Sequence, residues 1–321
     1  MSFIRTVLGD IAPEDLGFCY AHEHVLIEPN FATHIEPDYL HDSVDHAVTE
    51  LQQFYKDGGR AMIDATPCGF GRNVAKLASV SRRTGVHLVC STGLHSAKFY
   101  PPGHWRTRYS REDLADLFYA EVEKGVDAGD YRGPLVQRTS HRAGVIKVAG
   151  SGQELTAEEQ KIFRAAADAH RATGCPILTH TEQGLGALEQ LELFRKERVD
   201  LTHVVISHID RKPDIAYHRE VLRTGARVEC DSGFRWRGGG NPTLDLVLGL
   251  HREFPSQILL GMDASRRSNW KAYEGEPGMS FLIDVFIPGL RKCGMKTADV
   301  DRLFIHNPAE AFAFRAPKML A

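Results

Sequence analysis

The sequence has 321 residues, 42% of them hydrophobic and 25% charged, and a formal net charge of -3. A chain of this composition can bury a large core, but it has neither the positive charge nor the basic runs typical of nucleic-acid-binding proteins. The N-terminal segment has no signal-like apolar stretch, and no segment reaches the about 18 consecutive apolar residues of a membrane-spanning helix. We therefore expect a cytoplasmic protein that binds neither nucleic acid nor membranes.

Short apolar segments and amphipathic segments alternate along the chain. The apolar segments predict eight strands, at 18–27, 61–66, 87–93, 144–149, 176–181, 204–208, 227–231 and 258–263. Several are continuously apolar, as expected for strands buried on both faces of a parallel sheet. The segments between them predict helices at 44–57, 73–84, 111–128, 156–173, 213–224 and 241–254. Glycine follows the last turn of several of these helices, which is a common C-terminal signal.

Strand–helix alternation of this length is typical of an α/β protein with a (β/α)8 TIM barrel. A doubly wound open sheet gives a similar alternation, but no G-x-G-x-x-G motif follows the first predicted strand. Polar residues also follow many different strands, as they do in barrel enzymes. Because no Pro-, Gly- or Ser-rich linker divides the sequence, we expect one barrel domain over residues 1–321.

Residues with metal-binding side chains lie at the ends of five predicted strands. They are His22, His24, Lys147, His180, His208 and Asp263. His22 and His24 are two residues apart on a strand and so share a face, and a lysine inside an apolar strand is costly unless it is paired or modified. Each residue alone has an ordinary explanation, such as a helix N-cap for Asp263. The strand ends meet at one face of a barrel, however, so a single metal centre explains the set more simply.

The sequence resembles the phosphotriesterase-like branch of the amidohydrolase superfamily over essentially its whole length. The motifs that carry the resemblance are TVLGD at 6–10, GFCYAHEH at 17–24, GVIK at 144–147, HTE at 180–182, SHID at 207–210, GMD at 261–263 and NPAEAF at 307–312. Their order and spacing make the set highly specific for that family.

The resemblance implies a hydrolase with two divalent metal ions, Zn2+ first and Mn2+, Co2+ or Fe2+ as alternatives. It implies that His22, His24 and Asp263 bind the more buried ion, and that His180 and His208 bind the other. Lys147 would be an N6-carboxylysine that bridges both ions. A hydroxide shared by the ions would attack the substrate, and Asp263 would be the catalytic acid/base. Glu182 and Asp210 are interpreted either as groups that orient these ligands or as members of ordinary ion pairs.

Within this family the sequence is most similar to enzymes that hydrolyse phosphorylated sugar lactones, through HIDRKPD at 208–214 and the segment 263–273. Basic residues after the last two strands bind the substrate phosphate in those enzymes. This similarity implies phosphate contacts from Arg235 or Arg237 and from Arg266, which are otherwise interpreted as surface charges. Asn269 stands where a tyrosine of the phosphate site is expected. Two residues are candidates for the contact with the lactone ring, namely His95 and Tyr100.

The favoured function is therefore a lactonase or carboxyl-ester hydrolase acting on an anionic sugar lactone, phosphorylated or not. The first alternative is hydrolysis at phosphorus by a phosphotriesterase or phosphodiesterase with the same metal site. The second is a metal-binding barrel without catalysis, which the retention of all six metal-site residues disfavours. The expected partners are a small-molecule substrate and, by resemblance to the family, a second copy of the chain in a homodimer.

Overall fold

Eight parallel strands in the computed structural model form a nearly closed barrel, which confirms the predicted fold. The structure describes residues 2–236 and 238–315. A short antiparallel hairpin of β1 (Ile4–Thr6) and β2 (Gly9–Ile11) precedes the barrel. The barrel strands are β3 (Cys19–Glu23), β4 (Ala61–Asp64), β5 (His87–Gly93), β6 (Val145–Ala149), β7 (Ile177–His180), β8 (Val204–Ser207), β9 (Arg227–Cys230) and β10 (Ile258–Leu260). Each strand pairs in parallel with its neighbour in sequence.

Helices connect the strands and continue after β10. They are α1 (Phe31–Ile35), α2 (Val44–Lys56), α3 (Val74–Thr84), α4 (Arg111–Glu123), α5 (Ala157–Thr173), α6 (Ala187–Lys196), α7 (Ile215–Arg223), α8 (Pro242–Leu250), α9 (Ile287–Lys292), α10 (Thr297–Asp301) and α11 (Asn307–Ala311). The sequence pattern overextended α4, predicted to residue 128, and did not predict α1, α6, α9, α10 or α11. None of the helices in the described part of the chain is long and apolar enough to cross a membrane.

The barrel interior has an apolar layer below a polar layer. Val145 and Leu178 belong to a buried cluster inside the barrel. Lys147 and His180 lie two residues further along the same strands, β6 and β7. Since side chains two residues apart on a strand share a face, the apolar side chains support the polar ones directly. The intervening residues, such as Ile146 and Ile177, belong to the second and larger cluster, which includes buried helix residues.

The barrel closes between its first and last strands beside residues predicted to bind metal. The backbone N–H of Asp263, just after β10, donates to the carbonyl of His22 on β3 over 2.9 Å. Gly261 permits this approach, because a Cβ atom there would lie 2.8 Å from the His22 nitrogen. The ends of the sheet therefore meet within the candidate site.

Gly93→Ala is expected to destabilise the protein by about 3 kcal/mol or more, because the substitution is strained in two ways. Gly93 has a φ of +100°, and a Cβ atom there would lie 1.9 Å from the Lys147 carbonyl oxygen. That carbonyl accepts a hydrogen bond from the Leu94 N–H over 2.9 Å, so the strain would fall on β6 beside Lys147. Denaturant unfolding would measure the effect.

Gly152→Ala is the matched control for that substitution. A methyl group on Gly152 would meet open space, and the residue has no positive φ, so the free energy of unfolding should change by less than about 0.5 kcal/mol. Equal unfolding free energies for the two variants would contradict the close approach at Gly93.

Candidate metal centre

The six residues predicted to bind metal converge at the carboxyl ends of the barrel strands. The imidazole of His208 lies between those of His22 and His180, with ring-centroid distances of 4.6 and 4.5 Å. The Nε2 atom of His24 lies 3.4 Å from a carboxylate oxygen of Asp263. The Nε2 atom of His22 lies 3.2 Å from the Lys147 amine. Side chains from β3, β6, β7, β8 and β10 thus share one small volume.

Two of these residues have unusual backbone conformations. His208 directly follows β8 with a φ of +64°, and Asp263 follows β10 with a φ of +45°. Non-glycine residues in this left-handed region cost about 1–3 kcal/mol each, and such strain clusters at functional sites. At both positions the chain leaves its strand in a conformation that keeps the side chain within the cluster.

Lys147 is the least expected member of the cluster because its side chain is 0% exposed. Among the described residues, no carboxylate oxygen lies within ion-pairing distance of its amine. Burial lowers the pKa of Lys147 to about 8. An unpaired buried cation beside a histidine is unfavourable. The four imidazoles and the carboxylate of Asp263 around it, by contrast, are a donor set that suits divalent first-row metals. The residues therefore fit a metal centre.

Surrounding side chains fix the histidine rings. The Nδ1 atom of His24 lies 2.8 Å from the Thr66 hydroxyl. The Nδ1 atom of His208 forms a very short contact with a carboxylate oxygen of Asp231. Asp231 follows β9 and was not among the predicted site residues. Partners on the far nitrogen of an imidazole select its tautomer and orientation, which is a usual feature of metal sites.

The two carboxylates that follow the metal-site histidines have different surroundings. Glu182 lies 3.4 Å from the His180 Nε2 atom and 2.7 Å from the Lys98 amine. Its hydrogen bond to His180, followed by that to Lys98, lowers the pKa of Glu182 to about 2. Asp210 is fully buried, and burial raises its pKa to about 6. It accepts hydrogen bonds from the Ser232 N–H and the Thr243 hydroxyl, at 2.8 and 2.6 Å, and so anchors the loop after β9.

A cavity of about 200 Å³ opens onto the cluster. Aromatic side chains form part of its wall, and two cationic side chains lie among them. The wall residues outside the predicted metal ligands are Tyr39, Phe70, His95, Lys98, Phe99, Glu182, Arg211 and Ser265. His95, a predicted substrate contact, therefore lines this cavity. Lys98 and Arg211 were not predicted as site residues, although Arg211 follows His208 by three residues in the HIDR segment.

Tyr100, the other predicted substrate contact, makes hydrogen bonds within the protein. Its hydroxyl donates to the Cys68 carbonyl over 2.9 Å and accepts from the His95 N–H over 2.8 Å. The side chain is buried and does not line the cavity in the described part of the chain. Tyr100 thus supports the backbone of His95, and its contact with substrate stays a prediction.

The predicted arginines have separate surroundings. A terminal nitrogen of Arg235 donates to the Asp263 carbonyl and carboxylate, over 2.7 and 3.2 Å. Arg266 lies near the carboxylates of Glu36 and Asp38, at 3.3 and 3.5 Å, and its guanidinium stacks over the cavity residue Tyr39. The structure therefore places Arg235 beside the cluster and Arg266 against the Tyr39 ring. The third arginine, Arg237, lies outside the described residues.

A TIM barrel with four histidines, a buried lysine and an aspartate at its strand ends has the architecture of a metal-dependent hydrolase. The chain belongs to the phosphotriesterase family, whose model matches residues 2–312. It is 30% identical to a phospho-furanose lactonase of Mycoplasmopsis agalactiae, over 99% of this chain and 93% of that protein.

Two solved structures are also similar to the chain over most of its length. A lactonase from Listeria monocytogenes is 31% identical, with a TM-score of 0.90, over 98% of this chain and all of that one. The phosphotriesterase homology protein of Escherichia coli, solved with phosphate in its active site, is 31% identical, with a TM-score of 0.83, over 93% of this chain and 99% of that one. These similarities confirm the predicted family and hydrolase class.

Proposed function

We propose that the protein is a metal-dependent lactonase that acts on a small anionic sugar lactone, with a phosphorylated furanose lactone as the preferred substrate. The observation that carries this proposal is the cavity of about 200 Å³ beside the candidate metal cluster. Two cationic side chains, Lys98 and Arg211, line this cavity together with the cluster. Its volume is below the roughly 300–1,000 Å³ typical of pockets for drug-sized ligands, so a bulky aryl triester is disfavoured. The lactonase names of similar proteins and the phosphate bound to the Escherichia coli relative support the same substrate class.

We further propose that the cluster holds two divalent cations, zinc in the first instance. His22, His24 and Asp263 would hold one ion and His180 and His208 the other, with Lys147 bridging them as an N6-carboxylysine. Such ions polarise a carbonyl oxygen and lower the pKa of water, so that a nucleophile forms at neutral pH. Homodimer formation stays a prediction, for which sedimentation velocity is the direct measurement.

Asp263 is the residue placed to move a proton. Although burial raises its pKa, the hydrogen bond with His24 and the charges of His208, Arg235 and Arg211 hold the pKa well below the usual range. An ionised carboxylate at this position can accept the proton of the attacking water and release it to the leaving alcohol oxygen of the opened lactone.

The cavity wall accounts for substrate selection in this proposal. Lys98 and Arg211 provide charge-assisted hydrogen bonds for a phosphate or carboxylate group. Phe70 packs 5.5 Å from the His95 ring and 5.2 Å from the Phe99 ring, measured between centroids. This aromatic wall excludes water from one side of the lactone and provides an apolar surface for its ring carbons.

The deciding experiment compares turnover of the metal-loaded protein on sugar lactones with and without a terminal phosphate, on an aryl phosphotriester and on an aryl phosphodiester. We expect the phosphorylated lactones to have the highest kcat/KM. Activity confined to the phosphorus esters would overturn the lactonase proposal and favour reaction at phosphorus with the same cluster.

Lys98→Met tests the anion contact within that comparison. Loss of one charge-assisted hydrogen bond, about 1.5–3 kcal/mol, should raise KM for a phosphorylated lactone by at least tenfold and leave the neutral lactone nearly unchanged. Lys76→Met is the matched control, because Lys76 also pairs with a glutamate at 2.7 Å but does not line the cavity. Equal changes on both lactones would remove Lys98 from the anion site.

A further inference from the structure

Glu229 on β9 is a buried acid that neither the predicted metal ligands nor the proposed reaction uses. Its side chain is 0% exposed, and neither carboxylate oxygen has a hydrogen-bond partner among the described residues. An unsatisfied polar group in the interior costs free energy that a fold does not normally retain without a compensating interaction. The position of Glu229 therefore requires an explanation.

Besides ligand atoms of His208 and Asp231, which lie within 4.8 Å, the polar atom that faces Glu229 is the Nδ1 atom of His22. It lies 3.5 Å from a Glu229 carboxylate oxygen, and it too is buried without a hydrogen-bond partner among the described residues. On the opposite side of the ring, the His22 Nε2 atom lies 3.2 Å from the Lys147 amine and 3.9 Å from an oxygen of Asp263. With its proton on Nδ1 directed at Glu229, His22 presents the Nε2 lone pair to the candidate metal cluster.

The last barrel strand provides the space that this arrangement needs. A Cβ atom on Gly261 would lie 2.8 Å from a carboxylate oxygen of Glu229 and 2.8 Å from the backbone nitrogen of His22. Glycine at this position therefore leaves room for the carboxylate between the two strands that flank β10. A larger residue would displace the acid, the histidine or both.

The neighbouring histidine has a comparable partner from the same segment. Asp231 lies two residues after Glu229 and contacts the Nδ1 atom of His208. β9 and the residue that follows it thus place one carboxylate behind each of two candidate metal ligands. Carboxylates in this position fix the tautomer and the orientation of metal-binding imidazoles.

We infer that Glu229 is a positioning residue that accepts the Nδ1–H of His22 and thereby fixes the nitrogen that His22 offers to the metal. The inference rests on the proposed metal centre, to which His22 belongs. A competing arrangement is a separate cation held by His22, His208, Glu229 and Asp231, whose candidate ligand atoms all lie within 4.8 Å of one another.

The test measures Co2+ binding to the metal-free protein. Titration gives the affinity and the number of bound ions, and the visible ligand-field spectrum reports the ligands of each ion. Glu229→Met removes the acceptor with little change of volume. We expect it to weaken one Co2+ site by about 10–100-fold and to alter the spectrum of that site. Glu229→Gln retains an acceptor oxygen and should give an intermediate affinity. Ser91→Ala is the control, since Ser91 is a buried β5 residue whose hydroxyl also has no partner among the described residues.

The outcomes separate this inference from the proposed function. If Glu229→Met binds two Co2+ ions with wild-type affinity and spectrum, Glu229 has no positioning role and the metal centre still stands. Three ions in the wild type and two unperturbed ions in the variant would replace the inference with the competing cation site. A wild type that binds no Co2+ would overturn both proposals. If the Met variant does not fold, a Glu229→Gln affinity within twofold of wild type overturns the inference.

Discussion

Asp263→Asn is expected to lower kcat by about a thousandfold or more, which is within the usual range for loss of a general acid/base. The amide has nearly the same shape, but it cannot accept the proton that the proposed reaction delivers to Asp263. The position is also strained, with a φ of +45°, and asparagine tolerates this conformation. The variant should therefore fold and keep part of its metal. Steady-state kinetics on the preferred lactone and elemental analysis of bound metal would measure the two effects separately.

The exposed helix residue Asp245 provides a matched control for Asp263→Asn. Asp245→Asn makes the same chemical change on α8, at a residue that does not line the cavity, and should leave kcat unchanged. A near-normal kcat for Asp263→Asn would show that another group moves the proton.

Lys147→Ala is expected to have the second large effect, with loss of one of the two proposed metal ions and a comparable fall in kcat. The substitution removes the side chain that would bridge the two ions in the proposed centre, and it leaves a fully buried space beside His22. Short carboxylic acids such as propionate should restore part of the activity, because a carboxylate in that space would replace the proposed carbamate. Metal analysis and acid-dependent kinetics would measure both effects.

Val148→Ala controls for the creation of a cavity in the same strand. Val148 is fully buried and belongs to the cluster outside the barrel interior, so its truncation should lower stability without changing metal content. Two tightly bound ions in Lys147→Ala would rule out the bridging role.

The positions of the candidate ligands could be predicted because each lies in or just after a recognisable strand. His180 ends the apolar segment ILTH, and barrel topology brings the ends of such segments to one face.

Two kinds of helix were harder to predict. α6 begins after Gly186 with no side-chain cap, so the usual start signal is missing. Near the C-terminus, π-helical turns at Leu282–Phe286 and Arg302–His306 interrupt the period of 3.6 residues.

The contacts of side chains on loops could not be predicted from the sequence. Arg266 was interpreted either as a phosphate contact or as a surface charge, and its ion pairs with Glu36 and Asp38, which are more than 200 residues away in sequence, could not be predicted. Glu229 was interpreted only as part of a strand, and its relation to His22 depends on the glycine of a third strand. Contacts of this kind depend on how distant segments pack, and no local pattern encodes them.

The closure of the barrel between β3 and β10 has a consequence for the order of assembly during synthesis. His22 and Asp263 are separated by most of the chain, yet the backbone of one donates a hydrogen bond to the other. A nascent chain that has not yet released its last strand from the ribosome therefore has an open sheet and an incomplete set of ligands. In the proposed metal centre, tight capture of metal would follow closure, so metal occupancy would report that the barrel has formed.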